Sequence, residues 1–224
     1  MYRWEITRAA LAQRAFAMVR KESYDQAAAT ADTLLSAGLT TLEISLTTPF
    51  ALEAVTTLVR EVGDEAIIGA GTILDATSAR MAVEAGARFL TSPALDEGVV
   101  RTAHRYGLPV FPSASTPTEI TRALELGADA IKLFPASSHS PATVEHIRAA
   151  LPQAPLLPIG GVTVDAAPEW IEVGAAAVGM GACLTEGDRD LVIKRVAELL
   201  SRLGDMAAPG QSPSDSPGAG PEHS

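Results

Sequence analysis

Six times along this chain of 224 residues, a glycine stands just ahead of a short apolar run. Gly38 leads into Thr41-Leu42-Glu43-Ile44-Ser45-Leu46, Gly63 into Ala66-Ile67-Ile68-Gly69 and Gly86 into Arg88-Phe89-Leu90-Thr91. Gly107 leads into Pro109-Val110-Phe111, Gly127 into Ala130-Ile131-Lys132-Leu133 and Gly174 into Ala176-Ala177-Val178-Gly179. The first five glycines are 20 to 25 residues apart. The last gap is about twice as long, and Leu156-Leu157-Pro158-Ile159 fills it. A glycine in this position ends a helix in the left-handed conformation that other residues avoid. Between the runs lie amphipathic stretches with readable helix starts. Thr48-Pro49 reads as a cap followed by proline, Thr116-Pro117-Thr118-Glu119 has capping-box spacing, and Ser140-Pro141 opens another helix. With Phe16-Ala17-Met18-Val19 as the first strand, about eight strand–helix units result. Strands alternating with helices of this length form parallel sheets. Eight such units predict a single-domain α/β fold, a (β/α)8 TIM barrel over residues 1–204. An open doubly wound sheet normally has fewer strands and longer crossovers.

The composition narrows the function. A hydrophobic content of 47% supplies a full core, and a net charge of −10 without a basic stripe argues against nucleic acid as a partner. Cys183 is the single cysteine, which excludes an internal disulfide and fits a reducing cytosol. No apolar run reaches the ~18 residues of a membrane span, and Met1-Tyr2-Arg3-Trp4-Glu5 lacks the pattern of a signal peptide. The expectation is a cytoplasmic protein with no membrane partner. Residues 205–224 are mostly Pro, Gly, Ser and Ala and read as a disordered tail.

The chemistry starts from lysine. Lys21 and Lys194 lie among polar neighbours and read as solvated, whereas Lys132 sits inside Ala130-Ile131-Lys132-Leu133-Phe134-Pro135. A lysine drawn out of water loses its preference for the charged form, and the neutral amine can attack a ketone to form a Schiff base. The competing reading is an amine snorkelling to solvent from a strand end. Strand alternation sorts the neighbours. Leu42, Ile44 and Leu46 should face the helices, leaving Glu43 inside, and Ile131 and Leu133 leave Lys132 and Phe134 inside. A carboxylate and an amine inside one barrel are either a locking ion pair or a catalytic pair.

The glycines Gly160-Gly161 and Gly179-Met180-Gly181 end the seventh and eighth strands, where barrels commonly hold phosphate on backbone N–H groups. Tight turns are the plainer reading. Gly69-Ala70-Gly71-Thr72 lacks the rest of a dinucleotide fingerprint and reads as a strand end, with the Thr72 hydroxyl on the pocket. His104, His139, His146 and His223 show no metal spacing, and no Gly-x-Ser-x-Gly elbow occurs. Cys183, with no obvious base nearby, reads as a small buried apolar residue.

In order, Leu42-Glu43-Ile44-Ser45-Leu46, Gly69-Ala70-Gly71-Thr72, Thr91-Ser92-Pro93, Ile131-Lys132-Leu133-Phe134-Pro135-Ala136 and Pro158-Ile159-Gly160-Gly161-Val162 resemble one family. It is the class I aldolases acting on 2-keto-3-deoxy-6-phosphogluconate (KDPG), its galactonate epimer (KDPGal) or 4-hydroxy-2-oxoglutarate. The resemblance spans about residues 15–200. It implies a (β/α)8 barrel, usually a homotrimer, without metal or cofactor, whose small-molecule partners are a keto-acid substrate and pyruvate. By position, Lys132 would form the Schiff base and Glu43 would be the general acid/base. Arg20, Thr72, Pro93 and Phe134 would line the pyruvate end, and Gly160, Gly161 and Gly181 would hold the phosphate. This chain departs from the KDPG pattern at Thr47, Ile159 and Ala182, where arginine, threonine and serine are usual, and Ser113 replaces the glycine of a common Pro-Gly. Its Thr47-Thr48-Pro49 is closer to the galactonate branch.

The implied reaction is reversible cleavage of a 2-keto-3-deoxy sugar acid, 6-phosphorylated by expectation, to pyruvate and glyceraldehyde 3-phosphate. An ionised Glu43 favours the charged amine while desolvation favours the neutral one, so the two residues pull against each other. Alternatives are a 4-hydroxy-2-oxoglutarate aldolase giving pyruvate and glyoxylate, a phosphate-binding isomerase or epimerase without a covalent adduct, and a barrel that binds ligand without turnover.

Overall fold

All six repeat glycines adopt the left-handed conformation, with φ between 56° and 98° at Gly38, Gly63, Gly86, Gly107, Gly127 and Gly174. Each therefore ends a helix and releases the chain into the next strand. The computed structural model describes residues 1–204, and the expected tail lies outside the described residues.

The elements run α1 (Arg3–Leu11), β1 (Ala15–Val19), α2 (Tyr24–Ser36), β2 (Thr41–Ser45), α3 (Ala51–Val62), β3 (Ile67–Gly71), α4 (Ala76–Glu84), β4 (Leu90–Thr91) and α5 (Glu97–Arg105). They continue with β5 (Val110–Phe111), β6 (Ser113–Ala114), α6 (Pro117–Glu125), β7 (Ile131–Leu133), α7 (Pro141–Ala150), β8 (Leu156–Pro158), α8 (Ala167–Glu172), β9 (Val178–Met180), α9 (Ala182–Thr185) and α10 (Arg189–Gly204). Every strand pairing is parallel.

This is an α/β fold around a curled parallel sheet, but it differs from a regular eight-stranded count. Among the described residues, nine short strands form a six-stranded sheet, β5-β4-β3-β2-β1-β9, and a three-stranded sheet, β6-β7-β8. The expected fifth strand ends at Phe111, and a further short strand that the sequence did not indicate, β6, follows Pro112, which has no N–H to donate. Pro112 still accepts from the Lys132 N–H at 2.9 Å. On the other side, a single bridge between Ile159 and Gly179 joins the two sheets.

The helix starts are mostly as the sequence indicates. Thr116 caps α6 in a capping box with Glu119, and Ser140 does the same for α7 with Thr143. The start at Thr48-Pro49 is corrected: α3 begins at Ala51 after Phe50, which has φ of 57°. The Thr48 hydroxyl accepts from the Lys21 N–H instead of capping the helix.

Alternation divides the interior by height. Leu42, Ile44, Ile131 and Leu133 pack outward with the helices in the main core. Inside, Phe16, Ile67, Phe89, Phe111, Ala130, Leu157 and Ala177 fill the half near the strand starts, and Ile6 and Ala10 of α1 pack onto them. Phe89 stacks on Phe111 at 5.3 Å between centroids and meets Phe16 edge-on at 6.4 Å. A side chain at Gly69 would strike the Phe89 ring, so this glycine makes room for the aromatic floor. Among the described residues, no helix is long and apolar enough to cross a membrane.

Candidate active site

Above the aromatic floor the inward positions turn polar. Glu43 and Lys132 are 2% and 5% exposed, and the Lys132 Nζ donates to Glu43 Oε2 at 3.3 Å and to the Thr91 hydroxyl at 3.2 Å. The register explains the meeting. Glu43 lies opposite Gly69 on β3, and one pleat further on a side chain at Gly71 would collide with the Glu43 carboxylate. The glycines of β3 thus clear space first for the Phe89 ring and then for the acid. Lys132 stands between Ser113 and Leu157 on the neighbouring strands. Two opposite charges this deep need each other, since either one alone would be an uncompensated buried ion.

A cavity of about 340 Å³ opens over this pair. Of the residues singled out by sequence, Lys132, Glu43, Arg20, Thr72, Pro93, Phe134, Gly160 and Gly181 all line it. Gly161 does not. It has φ of 100° and its Cα side is packed against Ser137, so it shapes the turn beside the cavity. Thr72 has φ of 61°, a strained conformation for a β-branched residue. Its hydroxyl meets Ser45 Oγ at 2.8 Å, and Ser45 Oγ meets the Thr47 hydroxyl at 2.8 Å. Three hydroxyls sharing two bonds leave one O–H that the cluster itself does not use. Pro93 sits on a turn fixed by Ser92, whose hydroxyl donates to the Ala94 carbonyl at 2.6 Å and whose own carbonyl accepts from the Ser113 hydroxyl at 2.7 Å.

Several cavity residues were not singled out as site residues from sequence: Met18, Ser45, Thr185 and Glu186, with Thr91 beside the amine. Thr91 was within reach, because Phe89 and Thr91 alternate inward on one strand. Glu186 carried no signal, since it lies past the end of the last strand in a polar stretch. Lys21 is a correction. Far from being solvated, its side chain is 13% exposed and its Nζ donates to the Thr185 carbonyl at 2.7 Å and to Glu186 Oε1 at 3.0 Å. Cys183 packs against the main core, in line with its reading as a small apolar residue. It is half-buried, its thiol donates to the Val162 carbonyl at 3.2 Å, and burial pushes the thiol above its ordinary pKa. His139 meets the Ser115 hydroxyl, and His104 meets Asp129, each in a local pairing outside the cavity lining.

Arranged in this way, the cavity offers a buried amine, an acid within proton-transfer reach, a hydroxyl cluster and glycine-rich backbone on one wall. Those are the parts needed to capture a small carbonyl compound and move protons on it.

A family model described as KDPG and KHG aldolase matches residues 6–198. The chain is 34% identical over 169 residues to the 2-dehydro-3-deoxy-6-phosphogalactonate aldolase of Escherichia coli K12, across 75% of this chain and 82% of that relative. It is 33% identical over 180 residues to the 2-dehydro-3-deoxy-phosphogluconate aldolase of Pseudomonas aeruginosa, across 77% of this chain and 81% of that one. A solved structure described as native KDPGal superposes with a TM-score of 0.81 at 30% identity, over 85% of this chain and 94% of its own. From the first helix to the last, the chain belongs to the KDPG and KHG aldolase family.

Proposed function

We propose that this chain is a class I aldolase that reversibly cleaves a 2-keto-3-deoxy-6-phospho sugar acid to pyruvate and glyceraldehyde 3-phosphate. The observation that carries the reading is the buried Lys132–Glu43 contact of 3.3 Å beneath a cavity open to small molecules. The phosphorylated substrate is supported by the names of the galactonate and gluconate relatives and by the glycine wall at Gly160 and Gly181.

The chemistry would begin with the Lys132 ammonium passing a proton to Glu43, which frees the Nζ lone pair to attack the C2 ketone. The carbonyl pair moves onto oxygen, and the nitrogen proton passes to that oxygen through Glu43. Glu43 then protonates the departing hydroxyl, which leaves as water, and a cationic iminium remains. Next Glu43 takes the C4 hydroxyl proton, C4 becomes a carbonyl, and the C3–C4 bond breaks. Its electron pair flows toward the iminium nitrogen as an enamine, and the aldehyde departs. Glu43 returns its proton to C3, and water adds to the iminium to release pyruvate and the free amine. Thr91 would orient the amine from its other side. Arg20, Thr72, Pro93 and Phe134 would hold the pyruvate portion, with Gly160, Gly161 and Gly181 around the phosphate.

In this reading β5 and β6 count as one strand interrupted at Pro112. The two sheets then close through that residue and the Ile159–Gly179 bridge into a single-domain (β/α)8 barrel. The homotrimer and the cytoplasmic location rest on the resemblance and on composition. The test is cleavage of KDPG, its galactonate epimer and 4-hydroxy-2-oxoglutarate, followed by pyruvate release. Turnover of a 6-phosphorylated acid supports the proposal, and release of pyruvate from none of the three refutes it.

A further inference from the structure

Lys21 is a cation without a part in the chemistry above. It follows Arg20 at the end of β1 and reaches across to the segment after β9. There its Nζ donates to the Thr185 carbonyl at 2.7 Å and to Glu186 Oε1 at 3.0 Å. Thr185 and Glu186 both line the cavity. Their backbone is tied on two sides, because the Arg195 guanidinium also donates to the Glu186 carbonyl at 2.7 Å. The Glu186 carboxylate is different: its side chain is 63% exposed, against 13% for Lys21. The ammonium is fixed and nearly dry, whereas its counter-ion is free to turn into water.

We propose that Lys21, held just behind the Glu186 that lines the cavity, is the cation that selects substrates ending in phosphate, and that Glu186 is its exchangeable counter-ion. This rests on the aldolase reading above. A mostly buried ammonium needs an anion within hydrogen-bonding distance. Glu186 supplies one, at little cost because it stays solvated. A phosphate dianion carries more charge and three acceptor oxygens, so it makes the stronger charge-assisted contacts with the same ammonium. Both anions cannot occupy one nearly dry cation without repelling each other. Phosphate arrival therefore releases Glu186 to solvent, which its exposure permits, while the Lys21 bond to the Thr185 carbonyl keeps the ammonium in place. Ala182, between Gly181 and Thr185, offers only a methyl group, so side-chain recognition at this end falls to the charges.

The test runs the reaction in the synthetic direction with pyruvate and either D-glyceraldehyde 3-phosphate or D-glyceraldehyde. The readout is the ratio of kcat/KM for the phosphorylated over the plain acceptor, since loss of the Thr185 contact alone would lower both equally. Lys21→Met should lower the ratio by about tenfold or more, and Lys21→Arg should keep most of it. Glu186→Gln, which removes the competing anion, should raise the ratio about two- to fivefold. A ratio unchanged in Lys21→Met overturns the proposal, as does a ratio lowered in Glu186→Gln or a wild type that does not discriminate. Two further measurements separate this from the aldolase reading. Reduction with borohydride in the presence of pyruvate reports on Lys132 alone. Titration with inorganic phosphate needs no turnover, and its dissociation constant should rise about tenfold in Lys21→Met. An unchanged constant contradicts the proposal.

Discussion

Two lysine–glutamate pairs line this cavity or flank it, and they differ in almost everything except charge. Lys132 and Glu43 are 3.3 Å apart with side-chain exposures of 6% and 3%, on strands whose register holds them. Lys21 and Glu186 are 3.0 Å apart at 13% and 63%, one on a strand end and the other on the segment past the last strand. The shorter contact is the weaker one energetically, because water screens an exposed carboxylate and competes for it. In the deep pair, each partner is the other's main substitute for solvent. The contrast teaches that depth decides what an ion pair is for. A dry pair can pass a proton to a reacting centre, and a wet one can trade its anion for a ligand.

Replacing Glu43 breaks the comparison most sharply. Glu43→Gln keeps the shape but removes the proton acceptor, and kcat for cleavage should fall about 10²–10⁴-fold. Steady-state kinetics with pyruvate detection would read it. Gly71→Ala approaches the same acid from behind, since the added methyl collides with its carboxylate. A displaced base should cost kcat about tenfold or more with a smaller change in KM. Stability sharpens the contrast. Glu43→Ala leaves a buried lysine alone and should cost about 3 kcal/mol or more in urea unfolding, whereas Glu186→Gln should stay within about 1 kcal/mol. Equal costs would erase the distinction between the pairs. The smallest effect lies away from the cavity. Thr116→Ala removes the α6 cap and should cost about 1 kcal/mol. The carboxyl of its partner Glu119 is held below its ordinary value by the Ser115 N–H and the Thr116 hydroxyl. That contribution is present above the carboxyl's unfolded value and fades as pH falls through the folded one, so the Glu119→Gln deficit should shrink in acid.

What the sequence revealed follows from how local each signal is. The glycine repeat was legible because a left-handed helix end is a one-residue requirement, and the six glycines meet it. Glu43 and Lys132 were legible because strand alternation is also local, and it placed both on the inner face with Phe134. The short strand β6 past Pro112 was hidden, since a proline that ends a strand and one with a further strand behind it look alike without their neighbours. Lys21 was misread for a related reason. Its sequence neighbours are polar, but its burial comes from Thr185 and Glu186, far away in the chain. Thr48-Pro49 looked like a helix start, yet the hydroxyl bonds the Lys21 N–H from another strand, and α3 begins past Phe50. Long-range contacts of this kind leave no mark on the stretch where they land.

The central claim is that the Lys132 amine captures a keto group. Mass spectrometry of the protein reduced by borohydride in the presence of pyruvate addresses it directly, with Lys132→Met as the control. The account expects one pyruvate-derived adduct per chain, mapped to the peptide carrying Lys132 and missing from the variant. An unmodified wild-type chain, or an adduct on Lys21 or Lys194 instead, would contradict it.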